Sequence, residues 1–208
     1  MKKIVFIVLL FVLNVANSQD LKDVLLNKKY EIDFVGIDFS ETKLVGTSGD
    51  FRNPRRIIKD YFSRWNNMFH IDADKYELTN YFRKEQVNLL TETLDGINDS
   101  TDPHNLVVHI TPKRLKENII QSMINKYDVV SDNEVSMVLI VNSLNKLRKQ
   151  AVIDVVYFNN KSKEILFKTT LTPEPGGFGL KNYWEGAFLN LFKQIKKKEY
   201  KKWKKKYK

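Results

Sequence analysis

An α/β fold, with one mixed, mostly antiparallel sheet of about four to five strands and its helices packed mainly on one face, is what the sequence predicts. Three observations carry that expectation. Residues 135–144, 150–158 and 164–171 are apolar runs separated by short polar connections, as in a strand meander. Gly176-Gly177-Phe178-Gly179 then interrupts the strand pattern, and residues 181–198 follow with helical apolar spacing. Asn53-Pro54 and Thr111-Pro112 each combine a capping side chain with a proline, the signal for helices over 54–69 and 112–127.

The chain opens with the features of a secretory leader over residues 1–18. Lys2 and Lys3 supply a positive start, residues 4–13 are apolar, and Ala16-Asn17-Ser18 places small residues before a cut ahead of Gln19. The apolar run is too short to span a bilayer, which needs roughly 20 residues; an uncleaved anchor is the alternative. Export to the periplasm or the medium is the expectation. The chain has no cysteine, which excludes a disulfide framework, thiol chemistry and a lipid on an N-terminal Cys. Residues 19–198 are long enough to bury a core without such staples, as one domain.

Charge is distributed unevenly. Ten lysines against one glutamate give residues 193–208 a charge of +9. The whole chain carries +10, so once the two leader lysines are set aside residues 19–192 stand at −1. The basic character belongs to the C-terminus, and residues 199–208 are expected to be a Lys-rich tail. Lys201, Lys202, Trp203, Lys204, Lys205, Lys206 and Tyr207 interleave charge with rings, and Trp203 and Tyr207 share a helix face. Such a segment suits an anionic membrane surface or an acidic partner; a solvated extension of the last helix is the other reading. A leader would carry the chain away from most nucleic acid, which disfavours that partner.

In residues 30–39, Ile32 and Phe34 alternate with acids, then Val35, Ile37 and Phe39 alternate in the opposite phase. A strand with a bulge beside Gly36 is expected there, and a short strand over 43–45. Ile57, Ile58, Tyr61, Phe62, Trp65, Met68 and Phe69 form a core stripe, with Arg55, Arg56, Lys59 and Arg64 mostly off it. A short helix over 75–82, a strand over 85–90, a loop over 91–105 and an edge strand over 105–110 complete the first half. Asn159-Asn160-Lys161-Ser162 is a hairpin turn, since Asn tolerates left-handed angles.

Residues 150–167 together with Gly176-Gly177-Phe178-Gly179-Leu180-Lys181-Asn182-Tyr183-Trp184-Glu185-Gly186-Ala187 resemble a group of small secreted proteins of Bacteroidota-type envelopes. The strand-helix order also resembles, at fold level, the α/β module at the N-terminus of TolB. The resemblance implies an envelope setting and no activity. Asp99-Ser100-Thr101 is similar to the short O-glycosylation motif of such proteins, which makes Ser100 a candidate acceptor.

Catalytic patterns are absent. His70, His104 and His109 have no metal-ligand spacing. Gly46-Thr47-Ser48-Gly49 is one residue short of a nucleophile elbow. The acids Asp72, Asp74 and Glu77, and Asp95, Asp99 and Asp102, do not follow a calcium loop. Gly176, Gly177 and Gly179 lack the phosphate-loop pattern; they are expected to turn the chain sharply into the helix, with Phe178 filling the junction. No cofactor is implied. A non-enzymatic secreted or periplasmic binding module serving the cell envelope is the leading expectation. An envelope hydrolase using loop carboxylates, or a structural subunit of an envelope assembly, stands against it.

Overall fold

The computed structural model describes residues 21–207; the expected leader and its cleavage site lie outside the described residues. Among the described residues seven strands form the sheet: β1 (Ile32–Asp38), β2 (Lys43–Val45), β3 (Val87–Leu89), β4 (Val107–Val108), β5 (Val135–Asn145), β6 (Gln150–Asn159) and β7 (Ile165–Leu171).

The pairing corrects the expected sheet. The strands β3-β1-β5-β2-β4 are parallel where they pair, and only β6 and β7 are antiparallel additions. The sheet is therefore neither mostly antiparallel nor limited to four or five strands. β6 pairs along the whole of β5, so β1 and β2 share the other edge of β5 end to end. β1 runs beside Ser136–Ile140 and β2 beside Ser143–Asn145. Each then takes its own outer neighbour, β3 or β4.

The helices correct the expectation a second time, because both faces are covered. The long rod formed by Pro54–Arg56, a π-helical stretch Ile57–Phe62 and Ser63–Ile71 packs on one face together with Gly179–Gln194. Phe34, Phe39, Phe62, Trp65, Phe69, Trp184 and Phe188 meet in that core, with Phe39 stacked on Phe62 at 4.3 Å. On the other face Ile120, Met123 and Ile124 of the Glu117–Ile124 helix cover Val138, Ile140, Val156 and Phe158. A strand covered on both faces has no solvent side to leave polar. This is why all seven residues of β1 and all eleven of β5 are buried.

Local signals explain most element positions. Asn53 accepts a hydrogen bond from the Arg56 amide at 3.1 Å and Pro54 opens the helix, as expected. The bulge in β1 is present: its register against β5 shifts between Phe34 and Ile37, and Gly36 has φ 105°. The Thr111-Pro112 signal fails, because the helix begins only at Glu117. Asn142, in the bulge of β5, accepts the Leu115 amide at 2.8 Å and holds that stretch out of a helical turn. Residues 91–99 are helical rather than loop, as a 3₁₀ turn Thr91–Leu94 and a helix Asp95–Asp99. In the β6–β7 turn, Asn159 acts through its side chain, accepting the amides of Lys161 and Ser162, and Lys163 takes the left-handed angle. No helix among the described residues is long and apolar enough to cross a membrane.

Candidate functional site

Two places concentrate polar chemistry. The first is the C-terminal helix. Residues 199–207 are not a free tail: after Gln194 the helix continues through a π turn, Ile195–Glu199, into Tyr200–Lys206. Ile195, Glu199 and Trp203 recur at four-residue spacing and are buried, which pins this length to the body. Trp203, only 4% exposed, packs edge-on against Phe167 of β7 at 5.4 Å, and Tyr207 approaches the same ring at 6.5 Å. The Arg83 guanidinium lies 4.3 Å from the centre of the Tyr200 ring, and Lys196 Nζ donates to Asn80. The expected pairing of Trp203 and Tyr207 as surface anchors is thus replaced by a role inside the fold.

What remains outside is charge. Lys193, Lys197, Lys198, Lys201, Lys202, Lys204, Lys205 and Lys206 are exposed on this one rod. Among the described residues only Lys202 of these eight has a carboxylate partner, Glu199 at 2.8 Å. Lys201, Lys204, Lys205 and Lys206 sit within two turns, so they form a dense positive patch that an approaching anion stabilises. The pinned helix turns a charge run into a surface of fixed geometry.

The second place is a crevice of about 380 Å³ at the C-terminal end of β1, where the sheet splits between the β1–β3 and β2–β4 pairs. Asp38, Ser40, Glu41, Lys43, Asp102 and Lys126 are among its walls. Open α/β sheets commonly place ligands beyond the carboxyl ends of parallel strands. Here Asp38, Thr42, Lys43 and Asp102 are already engaged with the protein. Asp38 is buried and accepts Tyr127 Oη–H at 2.6 Å and the Ser40 amide at 2.7 Å. Burial first, and the Asp38 carboxylate second, hold the Tyr127 hydroxyl well above the usual tyrosine range. Lys43 Nζ donates to the Asn105 carbonyl at 2.9 Å, and Thr42 Oγ1 donates to the Val141 carbonyl at 2.7 Å. Backbone and side-chain hydrogen bonds from His104 and Asn105 hold Asp102 below the usual carboxylate range.

Two asparagines that sequence reasoning passed over close the split. Asn66 pairs with both the amide and the carbonyl of Ile37, at 2.7 and 3.0 Å. Asn98 accepts the Phe39 amide at 2.7 Å and donates to the Ile37 carbonyl at 2.9 Å. They stand in for the neighbour that β1 lacks once β3 has ended. The visible signal was Asn66, a polar residue inside the apolar stripe between Trp65 and Met68.

The other expected positions are scattered. Ser100 is exposed at the end of the Asp95–Asp99 helix, on the crevice wall, with its hydroxyl donating to the Ile97 carbonyl at 2.7 Å. Gly177 and Gly179 have φ of 115° and 78°, whereas Gly176 has an ordinary angle. Phe178 does not fill the junction: it is 94% exposed. The junction is closed by Gly186 instead, where a Cβ would stand 2.1 Å from the Gly176 carbonyl oxygen. Among the described residues no three acidic or histidine side chains gather in a metal-holding group. No protein-family model and no curated protein matches this chain.

Proposed function

We propose that the protein is a non-enzymatic binding module of the cell envelope that presents the basic face of its C-terminal helix to an acidic partner. The exposed lysines on a helix pinned by Ile195, Glu199 and Trp203 are the observation that carries this reading. A helix already pinned to the body gains affinity that a flexible tail loses to ordering, because little backbone freedom remains to be given up. It also steers encounter with an oppositely charged surface. The leader-like residues 1–18 and the resemblance to envelope proteins support a periplasmic or secreted setting. In the crevice both Asp38 oxygens are occupied by internal donors, which favours a positioning role over that of a free hydrolytic carboxylate.

Retention of the purified protein on immobilised poly-glutamate tests the reading. The wild type should be retained at low salt and released as the Debye length shrinks from about 10 Å toward 3 Å. A variant with Lys201, Lys204, Lys205 and Lys206 all changed to Gln, and with an unchanged circular dichroism spectrum, should elute at much lower salt. Equal elution of the two would refute the assignment.

A further inference from the structure

The end of the sheet remote from the C-terminus has a different surface. β5, β2, β4 and β7 finish there and β6 begins there, so four connections meet: residues 46–53, 109–116, 146–149 and 172–178. They are tied together. Lys146 N donates to the Val45 carbonyl at 2.8 Å, and Asn145 Nδ2 to Thr111 Oγ1 at 2.9 Å. His109 Nδ1 stands 3.0 Å from the Gly46 carbonyl. Lys146 Nζ sits 3.4 Å from the centre of the Tyr183 ring, whose backbone carbonyl accepts the Gly176 amide at 3.0 Å.

Three of these connections each display one large apolar side chain to solvent: Ile110 at 81%, Leu147 at 61% and Phe178 at 94% exposure. The Phe178 loop is braced. Gly177 and Gly179 supply its left-handed angles, Gly176 lies against Gly186, and Asn190 Nδ2 holds the Glu174 carbonyl at 2.9 Å. The loop thus holds an aromatic ring in water at a fixed place. The same four connections contain seven lysines and arginines against two acids, Asp50 and Glu174. Lys113, Arg114, Lys116, Arg148 and Lys149 among these bases are exposed.

We infer that this end of the sheet docks on an anionic lipid bilayer, with Ile110, Leu147 and Phe178 entering the headgroup region and the basic residues around them meeting lipid phosphates. Apolar tips on separate loops form no groove that a protein side chain would fill, but each can enter a soft interface independently. Charge complementarity selects anionic lipid, because each basic residue near the surface is attracted to the lipid phosphates. The surface lies at the opposite end of the molecule from Trp203 and Tyr207, which sit beside Phe167 near the start of β7. Lipid docking and the acidic-partner face are therefore separable.

Flotation of the full chain with phosphatidylcholine vesicles, with and without phosphatidylglycerol, tests the inference. The wild type should float with the anionic vesicles and weakly with the neutral ones, keeping a salt-resistant fraction. The Ile110→Ser, Leu147→Ser, Phe178→Ser triple variant alters only exposed side chains and should bind at least about tenfold more weakly. The Lys201, Lys204, Lys205 and Lys206→Gln variant should bind within about twofold of wild type. Undiminished binding by the triple serine variant, loss of binding in the glutamine variant, or no flotation of the wild type would each overturn the assignment.

Discussion

Gly186 lies in mid-helix, where glycine ordinarily weakens the helix, yet any side chain there would drive into the Gly176 backbone. The four glycines around this junction should consequently rank by environment when changed singly to Ala. Gly176→Ala should be near neutral, since its Cβ meets nothing within 4 Å. Gly179→Ala should cost about 1 kcal/mol for its backbone angle alone. Gly177→Ala adds a 2.8 Å contact with the Asn182 carbonyl oxygen to a similar angle and should cost more. Gly186→Ala should cost most, about 2–3 kcal/mol, because backbone must move. Urea denaturation of the four variants gives the ranking directly, and an unaltered midpoint for Gly186→Ala would show that the loop does not pack there.

Lys84 offers a test with a defined sign. Its ammonium donates to the carbonyls of Val24 and Asn27 at 2.6 and 2.8 Å, closing the end of the helical residues 21–26. Burial pushes its pKa from the ordinary 10.5 down to about 8, with Asp23 opposing. Between pH 8 and 10.5 the unfolded chain holds this proton more firmly than the folded one, so stability rises with pH. This contribution is full above 10.5 and lost as pH falls through 8. The buried hydroxyls of Tyr76, Tyr127 and Tyr157, all raised above 10, act oppositely, but only from about pH 10 upward. Unfolding free energy measured from pH 8 to 10 should therefore climb in the wild type and be flatter in Lys84→Met; parallel curves would refute the role of Lys84.

At the scale of elements, the last helix is the clearest departure from what composition suggests. A run of lysines with two rings looks like a tail, because charge dominates its average and the pinning positions are only three. Trp203→Ala should cost about 3–5 kcal/mol, as for other large buried side chains, and should lower helical content. Ending the chain at Lys198 should destabilise comparably, since Glu199, Trp203 and Tyr207 leave together. Thermal denaturation followed by circular dichroism would show this, and full stability of the shortened chain would mean that residues 199–207 are peripheral to the fold.

The strands show where local patterns suffice. The β5–β6–β7 meander is legible because its turns are short and its partners adjacent in sequence. The β1 bulge is legible because alternation changes phase beside Gly36. The parallel pairing of β1 with β5 is not visible locally, since about a hundred residues separate them. One available signal pointed to it: residues 135–144 are apolar almost throughout, the mark of a strand covered on both faces. The helix start expected at Thr111-Pro112 moves to Glu117 for a related reason, because Asn142 reaches Leu115 from a distant strand. Of the candidate site, the lysines were legible and their fixed arrangement was not, because it depends on Phe167 receiving Trp203.

The whole molecule carries a basic helix face at one end and an apolar, basic tip at the other. Simple accumulation of charge and a geometrically fixed face make different demands. Trp203→Ala keeps every lysine and releases the helix from its seat on Phe167, whereas the four-lysine glutamine variant keeps the seat and removes charge. Pull-down from envelope extract with wild type and both variants, at matched salt, separates them most directly. The wild type should retain a defined acidic protein, and both variants should lose it. Equal retention by Trp203→Ala would show that fixed geometry is unnecessary, and equal retention by the glutamine variant would contradict the proposed function itself.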